Sequence, residues 1–437
     1  MAMTMSGLAA TGVLNRLNKN ESAREKSLKN LASGVKIGGA ADDASGYAIS
    51  KRMSVQIRGL EQDSDNTQNS ISMMKTAEGA MQSTLDILKT LKEKAINAAN
   101  DTNSDTDRAT IQKEIDEALD QIDENANVTF NGQTMIDGSK NSEVIGDGTS
   151  TYLTNKSLAD GTESFSTVVE LQAKDGEPLG IMPGDSITIS YIKDGKTYHS
   201  TKQIDDGTAF IELFDWDPCR TDLDVYNTQY HGYIGDDQSG SPVYTADGRD
   251  AISFHAKGKG LDNQIAGLTV CVSAPDGTPR TSTNAVINNF EESIRAQNPS
   301  PDNALTFQVG TKANQSVRIG FTDLRAEALG LKSSKGDTIQ VTTQIAANTA
   351  INAFDNAVSK VLNEQTKVGS FQSRLDYTNA NITTAHENTV ASESTIQDAD
   401  MAQEAMNFAK HNVLTQSAQA MLAQANQSAS SVLSLLQ

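Results

Sequence analysis

Apolar residues recur every third or fourth position at both ends of this chain and every second position in its middle. Leu14, Leu17, Leu28, Leu31 and Val35 fall on the helical spacing, and Ile71, Met74, Met81, Leu85, Leu88 and Ala95 continue it. Ile111, Ile115, Ala118 and Ile122 predict a third helix. Toward the other end one stripe holds Ile351, Phe354, Val358, Val361, Val368, Phe371 and Leu375. A last stripe holds Val413, Leu414, Met421, Leu422, Val432, Leu433, Leu435 and Leu436. A seven-residue rhythm over such lengths predicts long helices packed as coiled coils. A helix from about Ala44 to Asn100 would be roughly 85 Å long, too long for the interior of a compact domain. It calls for a partner helix from the other end of the chain.

In the middle the period drops to two. Ile187, Ile189 and Tyr191 alternate and then meet Asp194-Gly195, a strong hairpin signal. Leu268 to Arg280 alternates again and contains a second Asp-Gly turn. Leu305, Phe307 and Val309 face Val317, Ile319 and Phe321 as another hairpin. Proline and glycine mark the same boundary. All eight prolines lie between Pro178 and Pro301, no glycine occurs between Gly79 and Gly132, and Gly369 alone follows Gly336. Helix interiors reject proline, so helical ends and a β-rich middle are expected. The fold class is therefore α+β and multi-domain: a long helical bundle from the two terminal segments, with a β-rich insertion.

Composition sharpens this picture. At 437 residues, 37% hydrophobic and 5% aromatic, with a mean hydropathy of -0.44, the chain is poor in material for one large core. Helices that bury one stripe against other copies suit it better. A formal charge of -20 argues against nucleic acid and anionic membrane surfaces as partners. No apolar run reaches the roughly 20 residues of a membrane span. The opening "MAMTMSGLAATGVLNRLNKN" is not expected to act as a conventional secretory signal. Cys219 and Cys271 allow one bridge or two free thiols.

Candidate chemistry is sparse. "LASGVKIGGAADDASGYAIS" crowds Gly34, Gly38 and Gly39 before Asp42 and Asp43, yet Gly39 is followed by Ala40 and not by the Lys-Ser/Thr pair of a phosphate loop. The glycines are expected to end one helix and turn the chain, with Asp42 and Asp43 capping the next. "NSDTDRATIQKE" spaces Asp105, Asp107 and Glu114 like a calcium loop but carries Arg108 where the turn requires glycine. Ser104 to Asp107 read instead as the cap of the third helix. The five histidines show no ligand spacing, and no serine sits in a G-x-S-x-G elbow. Neither catalysis nor a metal or cofactor site is expected.

The ends do carry a resemblance. "ESAREKSLKNLASGVKIGGAADDASGYAISKRMSVQIRGLEQDSDNTQNSISMMKTAEGAM" resembles the N-terminal segment of bacterial flagellins, and "NGQTMIDGS" the motif after their third helix. "TFQVGTKANQSVRIGFTDLRAEALGL" resembles their hairpin before the C-terminal helix. "STIQDADMAQEAMNFAKHNVLTQSAQAMLAQANQSASSVLSLLQ" is similar to their closing segment. The middle matches no named pattern.

What the resemblance implies is a structural subunit of the helical flagellar filament. It implies an inner domain of terminal helices (1–42 with 398–437), a helical rod domain with a hairpin (43–140 with 304–397) and an outward β-rich domain (141–303). The free ends would be largely disordered before assembly. The residues expected to carry assembly are Leu14, Leu17, Leu28, Leu31, Met421, Leu422, Val432, Leu433, Leu435 and Leu436, with Gly34, Gly38, Gly39, Asp42 and Asp43 as connector. Implied partners are other copies of the chain, the flagellar export apparatus and its chaperone, and the filament cap and hook-junction proteins. The implied location is the extracellular flagellum, reached by flagellar type III export. Many flagellins carry Arg and Leu where this chain has Thr90 and Lys94, while the matching Glu114 is retained. That difference implies weakened contact with flagellin-sensing Toll-like receptors. A hook–filament junction protein and a filament-borne adhesin are the alternative readings.

Overall fold

The structure, a computed structural model of the single chain, describes residues 2–160, 162–227 and 232–434, with side chains for 11–160, 162–225 and 232–427. The chain separates into two compact units, the first made of residues 1–68, 308–315 and 377–437 and the second of the remainder.

In the first unit α1 (Ala2–Ser33) lies against α8 (Met401–Ser434). They run antiparallel: Ala399 N donates to Gly34 O at 3.0 Å, and Asn30 Nδ2 reaches Glu404 Oε1 at 3.5 Å. The seam is narrow, with Leu17, Ser27 and Asn30 buried on α1 and Thr415 on α8. The start of α2 (Ala44–Ala98) runs antiparallel to the end of α7 (Gln344–Gln397). Ser50 bonds Gln397 at 2.6 Å, His386 meets Glu61 at 3.3 Å, and Ser64 bonds Asn379 at 3.1 Å. Partner numbers fall as α2 rises, which only opposed helices produce. Both terminal segments are helical, over residues 2–33 and 401–434, and paired with each other. What remains open is their outward side.

The second unit has a helical and a β part. Met74, Met81 and Leu88 of α2, Ile115, Leu119 and Ile122 of α3 (Asp105–Ala126), and Phe354, Val361, Val368 and Leu375 of α7 are buried. Leu119, not Ala118, completes the α3 stripe, because the larger side chain displaces more water per position. Lys92 pairs with Asp355 at 2.5 Å, and Gln372 bonds Glu78 at 2.9 Å, so α2 and α7 oppose each other here as well. α3 opens with a capping box: Asp107 N donates to Ser104 Oγ and Ser104 N to Asp107 Oδ2. Arg108, the residue that spoils a calcium loop, is buried. Its Nε donates to Ala98 O at 2.9 Å and its Nη2 to Asn100 O at 3.1 Å, satisfying carbonyls that the end of α2 leaves open. The reading of this stretch as a helix cap holds.

The short pair β1 (Thr129–Phe130) and β2 (Gln133–Thr134) follows α3. A four-stranded sheet is then built from β3 (Tyr152–Asn155), β6 (Leu223–Asn227), β9 (Ile252–Ala256) and β11 (Phe290–Ile294), in the order β11-β3-β9-β6. A three-stranded sheet sets β4 (Ser186–Lys193) between β5 (Lys196–Gln203) and β10 (Ile265–Ser273). Its hairpin turns at Asp194 and Gly195, both with positive φ as a primed turn requires. The sheets share a core that includes Leu153, Ile189, Tyr191, Phe210, Phe254 and Val270. Smaller elements are β7 (Tyr233–Asp236), β8 (Pro242–Tyr244), β12 (Leu305–Gln308), β13 (Ser316–Ile319), and the short helices α4 (Cys219–Asp222), α5 (Thr281–Ile287) and α6 (Ala326–Leu329). Cys219 and Cys271 are free thiols, and burial pushes the Cys219 thiol up to about 12.

The sheets dock on α7 through polar groups. Ser190 Oγ and Thr349 Oγ1 lie 2.7 Å apart, and Asn352 Nδ2 donates to Thr269 Oγ1 at 2.9 Å. Deeper in, Lys360 on α7 and Glu292 on β11 form a 3.0 Å ion pair with both side chains 6% exposed. Lys360 Nζ also donates to the carbonyls of Ala328 and Leu329. Such a pair exists only because its charges satisfy each other away from water.

Candidate assembly surface

Two chain reversals meet in the first unit. Gly34 ends α1 at φ +73°, a left-handed conformation that glycine adopts without strain, and its N–H closes on Asn30 O at 2.8 Å. The next residues run beside the break between α7 and α8: Val35 bridges Asp398, and Lys36 N donates to Gln397 O at 2.7 Å. Gly38 and Gly39 do not have positive φ, so the turn does not depend on them as it does on Gly34. Of the two acids, Asp43 caps α2, with Oδ1 accepting from Ser45 N at 3.0 Å and Gly46 N at 3.1 Å. Asp42 does not share that role. It reaches back to Lys26 at 3.3 Å and Lys29 at 3.8 Å on α1, and accepts from Gly38 N. Gly46 is the glycine the sequence did not flag: a Cβ there would stand 2.6 Å from Ile37 Cδ1. On the other strand of the crossing, Asp400 caps α8 through Ala402 N and Gln403 N.

The hydrogen bond and charge of Lys26 hold the Asp42 carboxyl below the usual carboxylate range. A lowered folded pKa means this tie is complete above the ordinary carboxylate pKa and is lost as pH falls through the lowered one. An Asp42→Asn chain is therefore expected to melt below the wild type at neutral pH, with the gap closing as the pH falls into strong acid. A gap that persists undiminished in strong acid would contradict the assignment.

Along α1 and α8 the proposed assembly positions divide. Leu17 is buried in the seam and Leu31 and Leu422 are half-buried, whereas Leu14, Leu28 and Met421 are 43, 49 and 62% exposed. Val432 and Leu433 belong to α8, with side chains outside the described set, and Leu435 and Leu436 lie outside the described residues. The structure adds Met406 and Val413, also widely exposed on α8. Their signal in the sequence was apolar positions in excess of the one stripe that a helix pair uses.

On the other candidate surface Lys94 Nζ meets Glu114 Oε2 at 2.5 Å, joining α2 to α3. Thr90 is exposed and bonds its hydroxyl to Asp86 O at 3.1 Å. Glu114 is thus engaged by a cation of its own chain. Elsewhere, Asp222 of the acidic "DWDPCRTDLD" stretch accepts from Tyr191 Oη at 3.0 Å and Lys193 Nζ at 2.7 Å, a structural use. Among the described residues no group of three or more His, Cys, Asp or Glu side chains could hold a metal ion, and no helix is long and apolar enough to cross a membrane.

Helices from both ends of one chain are paired along a thin seam and carry exposed apolar side chains outside it. Comparison with known proteins gives the family. Residues 7–141 match the model of the bacterial flagellin N-terminal helical region, and residues 351–436 that of the C-terminal helical region. The flagellin of Clostridium tyrobutyricum is 32% identical over 426 residues, covering 96% of this chain and 98% of that one. The flagellin of Bacillus subtilis strain 168 is 27% identical over 449 residues, covering 98% of each. Among solved structures, the flagellar hook-associated protein-3 of Legionella pneumophila aligns at 15% identity and a TM-score of 0.35, over 79% of this chain and 98% of that chain. The chain belongs to the bacterial flagellin family, whose members are structural subunits of the flagellar filament.

Proposed function

We propose that the outward faces of α1 and α8, at Leu14, Leu28 and Met421 and on through Val432, Leu433, Leu435 and Leu436, are the surfaces by which copies join into the filament. The observation that carries this reading is the exposure of Leu14, Leu28 and Met421 on helices already paired. Burying them between copies contributes about 25 cal/mol per Å² of apolar surface, enough to outweigh ordering when repeated at every contact. Copies related by a rotation that does not close then extend without limit. Gly34 and Gly46, with Asp42 and Asp43, hold the reversal that sets α1 beside α8. The role is structural and not catalytic. Export through the flagellar apparatus with its chaperone, and capping and junction proteins at the filament ends, complete the reading.

Seeded growth tests it. Purified full-length chain added to filament fragments is expected to elongate them, and chains lacking residues 1–33 or 401–437 are not. Elongation by either truncated chain at the full-length rate would refute the proposal.

The Thr90, Lys94 and Glu114 patch supports a further expectation. Without an arginine fork at Thr90, and with Glu114 held by Lys94, monomer is expected to activate a flagellin-sensing Toll-like receptor weakly. A reporter assay in which it matches a flagellin carrying the Arg and Leu would contradict this.

A further inference from the structure

Where β11 meets α7, a cavity of about 360 Å³ opens between the sheet and the helix. Its wall carries three acids, Asp237, Glu292 and Glu364, and three cations, Arg295, Lys360 and Lys367. Two pairs are internal: Lys360 with Glu292 at 3.0 Å and Lys367 with Glu364 at 3.3 Å. Arg295 is different. Its Nη2 donates to the carbonyls of Asp323 and Ala328, at 2.9 and 3.4 Å, so its bonds go to neutral acceptors.

Three polar atoms of this wall are sealed from solvent without a partner: Arg295 Nε, a donor, and Glu292 Oε1 and Gln297 Oε1, both acceptors. Glu292 is the more telling because its side chain is 94% buried, and a buried carboxylate oxygen left unmet is costly. Both acceptor oxygens belong to residues that line the cavity, and terminal carboxylate and amide torsions are broad. A simple anion would satisfy Arg295 but face Glu292, and a simple cation would do the reverse. The wall as a whole is neutral.

We infer that this cavity binds a small zwitterion of the free amino acid class, its carboxylate on Arg295 and its ammonium on Glu292 and Gln297. The volume, about 360 Å³, lies at the lower end of the roughly 300–1,000 Å³ of small-molecule sites and leaves room for a free amino acid. The site shares no residue with the assembly faces and goes beyond the filament role.

Titration calorimetry on the purified full-length monomer tests it, with glycine, alanine, serine and glutamine as probes and acetate and methylamine as the two halves. At least one amino acid is expected to bind saturably, and each half at least about tenfold more weakly, since one charge-assisted contact is lost. Gln297→Leu is expected to weaken binding roughly tenfold with an unchanged circular dichroism spectrum and melt. Arg295→Lys is expected to abolish it, and if that chain fails to fold, Gln297→Leu carries the test. Absence of saturable binding by all four amino acids, binding of acetate as tight as theirs, or full affinity in folded Gln297→Leu would each overturn the inference.

Discussion

A Lys360→Met chain is expected to lose about 3–5 kcal/mol of stability in its second unit, the cost of breaking a buried ion pair from one side. The geometry explains the size. Glu292 Oε2 has Lys360 as partner at 3.0 Å and Oε1 has none, so removing the ammonium leaves a buried carboxylate with neither oxygen met. The carbonyls of Ala328 and Leu329 lose the same donor. The double variant Lys360→Met/Glu292→Leu is expected to recover most of the loss, because apolar groups of similar volume need no partners. Urea unfolding of the four chains of the cycle gives the coupling directly. A double variant as unstable as the sum of the single ones would mean that the pair is not what the loss measures.

Lys360 also marks the limit of what the sequence discloses. It stands beside Val361 in the stripe that runs from Phe354 to Leu375, and nothing local separates a buried lysine from one at the edge of a helix face. Its burial follows from Glu292, which lies in another element. The same holds for the sheets. The β4–β5 hairpin was legible because alternation and an Asp-Gly turn are local signals. The pairing of Tyr152 with His255 and of Thr154 with Glu291 was not, since strands so far apart leave no periodic trace. Long helices were plain from their stripes and from where proline and glycine are missing. The connector was half legible. A pair of acids after glycines announces a helix start, but Asp43 takes the cap while Asp42 turns back to Lys26, a choice set by where α1 ends. Among the leucines and Met421, periodicity gave the stripe. Only the packing of α1 on α8 divides it into a closed seam and an open face.

That division predicts the other large effect. Met421→Lys is expected to raise the monomer concentration needed for filament growth by roughly ten- to a hundredfold while leaving the monomer's melting curve unchanged. Met421 is 62% exposed, so the folded single chain has little to lose at this position. In a filament the same side chain would be buried, worth about 1.5–3 kcal/mol, and each 1.4 kcal/mol is a factor of ten in the association constant. A lysine forfeits that burial and adds a charge with no partner assigned to it. Leu17, at 9% exposure, supplies the contrast. Leu17→Ala is expected to loosen the pairing of α1 with α8 by about 2–5 kcal/mol, lowering the melt of the first unit before any filament forms. If Met421→Lys lowers the melt as Leu17→Ala does, the face is internal to one chain and the assembly surface lies elsewhere. If it spares the melt and stops growth, the apolar excess on α8 belongs to the neighbouring copy.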